Sequence, residues 1–227
     1  MKKALILTVT AILLLTLFSA CGAPDIAPGV EPAIPNPASP GDTQSAPEKA
    51  EFSRGIVDEG AETYISEYLG LQFTLPEGWS FASEEALSAL VSEGAQAVYA
   101  ENAGSMQDSL TLTTVYDMMA VGSDESIAVL YENLQYHIGG VSLTEADYAA
   151  ALAEQLTATE GLVYTVAAPE SAQLAGLDGL LVNASVADSE LHQSYFIRKT
   201  DELMLVIIFT AAEDPAWEQL KSCFAGA

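Results

Sequence analysis

Apolar positions change their period along this chain, and each change marks an element. Tyr64 to Leu69 and Leu71 to Leu75 read as two short strands about Gly70, because Phe73 and Leu75 alternate with Gln72 and Thr74. Leu75-Pro76-Glu77-Gly78 fits a type I turn, proline second and glycine fourth, and the Trp79 that follows is expected to be buried. Ser83-Glu84-Glu85 predicts the cap of a short helix, with Leu87, Leu90 and Val91 on one face and Gly94 as its stop. Asp108 to Tyr116 alternates through Leu110, Thr111, Leu112 and Thr113, as a strand does.

Two helices are expected next. In the first, Ser123 caps a stripe of Ile127, Leu130, Tyr131, Leu134 and Ile138 that ends at Gly139-Gly140. In the second, Thr144-Glu145-Ala146-Asp147 approximates a capping box before Tyr148, Leu152 and Leu156, and Gly161 ends the stripe. The rest is strand-rich: Leu162 to Ala167, Ala172 to Ala175, Leu180 to Ala187, Leu191 to Arg198 and Leu203 to Thr210. The run Leu203 to Phe209 is apolar throughout, which predicts a central strand covered on both faces, with Arg198 to Glu202 as the hairpin connection before it. Asp214-Pro215 supplies an N-cap and first-turn proline for a last helix with Trp217, Leu220 and Phe224 on one face. Strands cluster without regular β-α alternation, so the fold class is α+β with a mainly antiparallel sheet flanked by helices.

The amino terminus carries a different signal. Met1-Lys2-Lys3 precedes an uncharged stretch from Ala4 to Ala20, then Leu17-Phe18-Ser19-Ala20-Cys21-Gly22, which has the layout of a secretory signal ending in a lipobox-like site. Residues 1–20 are therefore expected to be a lipoprotein signal peptide, and Cys21 the lipidation site, carrying palmitate-type acyl chains. The location that follows is the extracytoplasmic face of a cell membrane, with the lipid on Cys21 as the membrane contact. Seven prolines between Pro24 and Pro47, among Ala, Ser, Gly and acids, make residues 21–55 a solvated linker. Residues 56–227 are then a single globular domain.

Charge narrows the partners. Seven basic residues stand against thirty-two acidic ones, a formal net charge of −25. Such a surface repels phosphate backbones and anionic head groups, which argues against nucleic-acid binding and leaves an envelope protein or other extracellular ligand as the partner class. With Cys21 committed to lipid, Cys223 has no partner within the chain for a disulfide, and the domain must rely on its core.

The sequence Tyr68-x-Gly70-Leu71-x-Phe73-x-Leu75-Pro76-Glu77-Gly78-Trp79, the Ser83-Glu84-Glu85 helix, the late hairpins and Lys221-Ser222-Cys223-Phe224 together resemble bacterial lipoproteins with a PsbP-like domain. The resemblance runs from about Tyr64 to Phe224. It implies an antiparallel sheet sandwiched between helices, and a fold whose members act as photosystem assembly or stabilising subunits or bind the GTPase Ran. These are binding roles, and the matching residues are turn and core positions, so no site is carried over.

Motifs of catalysis are missing from the sequence. No Gly-x-Ser-x-Gly elbow and no phosphate-binding loop of the Walker type occurs. His137 falls late in an expected helix and His192 on an expected strand. Cys223 reads as a packing residue. Asp188, Glu190 and His192 would share one face of a continuous strand and converge on a divalent metal, but a hairpin must turn there, so solvated turn acids beside a surface histidine are expected and no metal or other cofactor. The function expected is a membrane-anchored, non-enzymatic binding or assembly module; the alternative is an extracellular enzyme whose site is dispersed along the chain.

Overall fold

The computed structural model describes residues 52–57, 60, 62–89, 113–137, 139–159, 162–187, 189, 191–212 and 216–227. The expected signal peptide, Cys21, most of the linker, Leu90, Val91, Gly94, residues 108–112, Ile138, Gly161, Asp188, Glu190, Asp214 and Pro215 lie outside them. In chain order the elements are β1 (Ile56–Val57), β2 (Thr63–Ser66), β3 (Leu71–Thr74), β4 (Ser80–Phe81), β5 (Thr114–Val121) and β6 (Ser126–Asn133), then helix α1 (Glu145–Ala158). Next come β7 (Tyr164–Val166), β8 (Glu170–Leu174), β9 (Leu177–Val186), β10 (His192–Thr200) and β11 (Leu203–Ala211), helix α2 (Ala216–Lys221) and β12 (Phe224–Gly226).

Every described strand pairing is antiparallel. An eight-stranded sheet runs β4-β5-β6-β11-β10-β9-β7, with β8 also paired to β9, and a four-stranded sheet runs β1-β2-β3-β12. The α+β class read from the sequence is the observed one. The large sheet buries both faces. On one, Met204, Val206 and Ile208 of β11 meet Tyr148, Leu152 and Leu156 of α1. On the other, Leu205, Ile207 and Phe209 meet Phe73 of the small sheet, Trp217 and Leu220 of α2, and Phe224. β11 is thus the covered central strand that its unbroken apolar run predicts.

α1 also forms as expected. Thr144 accepts from the Asp147 backbone while Asp147 accepts from the Thr144 backbone, a reciprocal box that satisfies donors otherwise left open at a helix start. Ser83 likewise accepts from the Ala86 backbone at 3.2 Å, starting a helix over residues 84–89.

Four local expectations are corrected. The stripe from Ile127 to Leu134 is not a helix: residues 126–133 are β6, and Ser123 lies in the β5–β6 hairpin, where the Gly122 amide donates to Glu125. The strand lies between β5 and β11, so Ile127, Val129 and Tyr131 enter one core and Leu130 the other, and burial on both faces imitates helical spacing. Thr113 is helical and the strand there starts only at Thr114. The turn after β3 sits one residue later than expected, closed by the Trp79 amide to Pro76, which places Gly78 (φ 82°) third, where a type II turn requires positive φ. Phe224 is not on the last helix but in β12, opposite Phe73 of β3.

Candidate functional site

A β-bulge creates the best-defined polar position. The pairing of β5 with β6 shifts between Tyr116 and Met118, leaving Asp117 as the extra residue. Adjacent strand residues ordinarily face opposite ways, but here Met118 and Asp117 both turn toward the small sheet, while Tyr116 packs on the α1 side. The Asp117 carboxylate accepts from the Gly55 amide at 3.1 Å on each oxygen and from the Tyr64 hydroxyl at 2.6 Å. Burial pushes its pKa up, while the Tyr64 and Gly55 bonds and the Arg54 charge pull it back. Tyr64 is itself fully buried, and burial together with the Asp117 charge holds its proton firmly.

These bonds tie residues 52–55 to the sheet. Arg54 donates to the Tyr116 carbonyl at 3.3 Å, and Phe52 meets the edges of Tyr68 and Tyr131 at 5.3 and 4.9 Å between ring centres. All of these contacts come from the linker side of the expected boundary at residue 55. Gly55 is required by space: a Cβ there would sit 2.2 Å from the Tyr64 ring.

Beside Asp117 opens a cleft of about 710 Å³, between β1 of the small sheet and β4 of the large one. Ile56, Val57, Trp79, Phe81 and Leu87 line it, and Met118 and Met119 lie with Asp117 along β5. β4 is held by pairing to Val121 and Ala120, and the Ala82 amide extends that ladder to Met119. Trp79 is half-buried rather than fully buried, and lies so close to Gly122 that a Cβ there would come within 2.6 Å of its indole nitrogen. Asp117 and Glu84 are the ionisable groups among the described lining residues.

A second polar cluster lies closed beneath α1. Glu132, the last buried residue of β6, is 2% exposed, and its carboxylate is 3.3 Å from Nε2 of His137, itself 6% exposed. Tyr148 of α1 hydrogen-bonds Glu132, and Tyr116 of β5 lies close enough for the two to interact electrostatically. Burial pushes the Glu132 carboxyl up to about 8 and the His137 imidazole down to about 4.

Of the residues singled out from sequence, the described ones, His137, His192 and Cys223, are not grouped into a site. His137 follows β6 through a short 3-10 turn, not a helix, and meets Glu132 instead of His192. His192 opens β10, half-buried, opposite Ala211 and Ser185. Ala187 and Ser189 lie in the β9–β10 connection, where the sequence predicts a turn, while Asp188 and Glu190 lie outside the described residues. Among the described residues no three His, Cys, Asp or Glu side chains are grouped to hold a metal ion. Burial raises the Cys223 thiol, the opposite of what a thiolate nucleophile needs. No described helix is long and apolar enough to cross a membrane.

No family model matches the chain, and no curated protein is similar to it. A solved structure to which the chain is similar is that of cyanobacterial PsbP (CyanoP) from Synechocystis sp. PCC 6803. Identity is 12%, the TM-score is 0.42, and the match covers 81% of this chain and 99% of that one.

Proposed function

We propose that this chain is a lipid-anchored extracytoplasmic binding module, attached to the membrane through acylated Cys21 and taking its ligand in the cleft between β1 and β4 without catalysing a reaction. The cleft is the observation that carries the reading. Its volume, about 710 Å³, falls within the range of small-molecule and side-chain pockets. Its walls are mainly apolar, with a few fixed polar groups, the composition of a site that holds a ligand in one orientation.

Asp117 supports binding over catalysis. A catalytic carboxylate needs a free oxygen facing the substrate and a proton it can exchange. Here both oxygens already accept hydrogen bonds, from Gly55 and Tyr64, so the group serves to hold β1 in place at the rim. The Glu132–His137 pair, the other acid–base candidate, lies beneath α1 rather than in the cleft. The strongly acidic chain favours an uncharged or cationic envelope component as ligand over a phosphate-bearing one.

The test is turnover. Screened against hydrolase, transferase and protease substrates, the purified chain is expected to show no activity that depends on any one side chain. Reproducible turnover abolished by a single substitution would overturn the reading.

A further inference from the structure

Glu132 is the one carboxyl group among the described buried residues, and the binding reading gives it no role. It lies on the α1 face of β6, opposite Thr114 of β5 and Met204 of β11. The groups packed around it come from separate elements: His137 from the connection after β6, Tyr148 from α1 and Tyr116 from β5, with Tyr195 of β10 coupled to Tyr148 behind them. The tyrosines are neutral and hold their protons firmly, because burial raises each of them. Charge in the cluster therefore resides on Glu132 and His137.

One proton between these two groups leaves the pair without net charge, whichever of them holds it. Two protons leave a buried cation and none a buried carboxylate, each costly in an apolar interior. We propose that Glu132, His137 and Tyr148 form a one-proton latch that fastens α1 and the connection before it to the large sheet, and that loss of this proton under alkaline conditions releases them.

The direction follows from proton counting. In the folded chain the pair keeps its single proton from about 4 to about 8. Unfolded, with the ordinary values 4.5 and 6.5, it holds one proton only between those limits. From 4.5 to 6.5 both states carry the same number, so stability from this source is flat. From 6.5 to 8 the folded pair holds a proton that the unfolded chain has released, and stability falls as pH rises. On the acid side the corresponding window, from 4.5 to 4, is only half a unit wide. The latch is thus sensitive to alkali rather than to acid, the reverse of the usual histidine switch.

Amide exchange of the full chain in detergent micelles tests this, with rates corrected for the intrinsic effect of pH. Exchange in residues 145–158 is expected to rise by about 8-fold, relative to residues 204–210, between pH 6.5 and 8, and this rise should vanish in Glu132→Gln, which has no proton to lose. An α1 whose protection is the same across that interval, or a Glu132→Gln chain that keeps the full rise, would overturn the proposal. Should Glu132→Gln fail to fold, carbon-13 and nitrogen-15 titrations of the wild-type carboxyl and imidazole decide: one proton held between Glu132 and His137 at pH 7 supports the latch, and a pair that has already lost it at pH 7 overturns it.

Discussion

Removing residues 52–55 should destabilise the domain, although composition assigns them to the tether. Consider two chains, one starting at Phe52 and one at Ile56, the latter with an acetylated terminus so that no new ammonium replaces the lost Gly55 donor. Phe52 is 39% exposed, so roughly three-fifths of it is covered, against Tyr68 and Tyr131. A fully buried phenylalanine contributes about 1.5–3 kcal/mol, which makes its loss here about 1–2 kcal/mol. Removing the Gly55 amide leaves the partly buried Asp117 carboxylate with the Tyr64 hydroxyl and adds about 1–3 kcal/mol. Together these give about 2–5 kcal/mol, or a melting temperature lower by about 4–20 °C for a domain of this size. Differential scanning calorimetry at pH 6, on the flat part of the latch profile, is the assay. Two chains melting within about 2 °C of each other would refute the reasoning and return residues 52–55 to the tether.

Further outcomes follow from the same structure. Thr144→Ala removes one half of the capping box and should cost about 0.5–2 kcal/mol in chemical denaturation; an unchanged midpoint would mean that Asp147 alone caps α1. Cys21→Ser should leave the chain unprocessed or released from the membrane fraction, with no acyl mass on its terminus; a variant that fractionates and migrates like wild type would remove the lipid anchor from the account.

The legible parts of the fold were those encoded locally. β11 declared itself through an unbroken apolar run, and α1 through a cap and a stripe lying within a few residues of each other. β6 was misread because α1 packs over one of its faces and the small sheet with α2 over the other, and a strand apolar at every position from Ile127 to Tyr131 also satisfies a helical template. β12 was missed for a related reason: it is three residues long and exists only because β3, far away in the chain, accepts it as a partner. The candidate site was less legible still. Asp117 owes its direction to a bulge, a property of the register between two strands, and it reads in sequence as one polar residue between Tyr116 and Met118. Glu132 left a faint trace, as a single carboxylate closing the apolar stretch from Ile127 to Tyr131, but its pairing with His137 depends on the 3-10 turn that follows β6.

On the proposed reading, this domain holds an envelope component in the cleft between β1 and β4. Incorporating a photoreactive amino acid in place of Leu87, in the full chain on intact cells, tests it most directly, because that side chain lines the cleft together with Ile56 and Val57. Illumination is predicted to give one discrete adduct, reproduced between preparations and lost when Phe81→Ala and Met119→Ala reshape the walls. No adduct, or a smear of adducts that the wall substitutions leave unchanged, would contradict the claim.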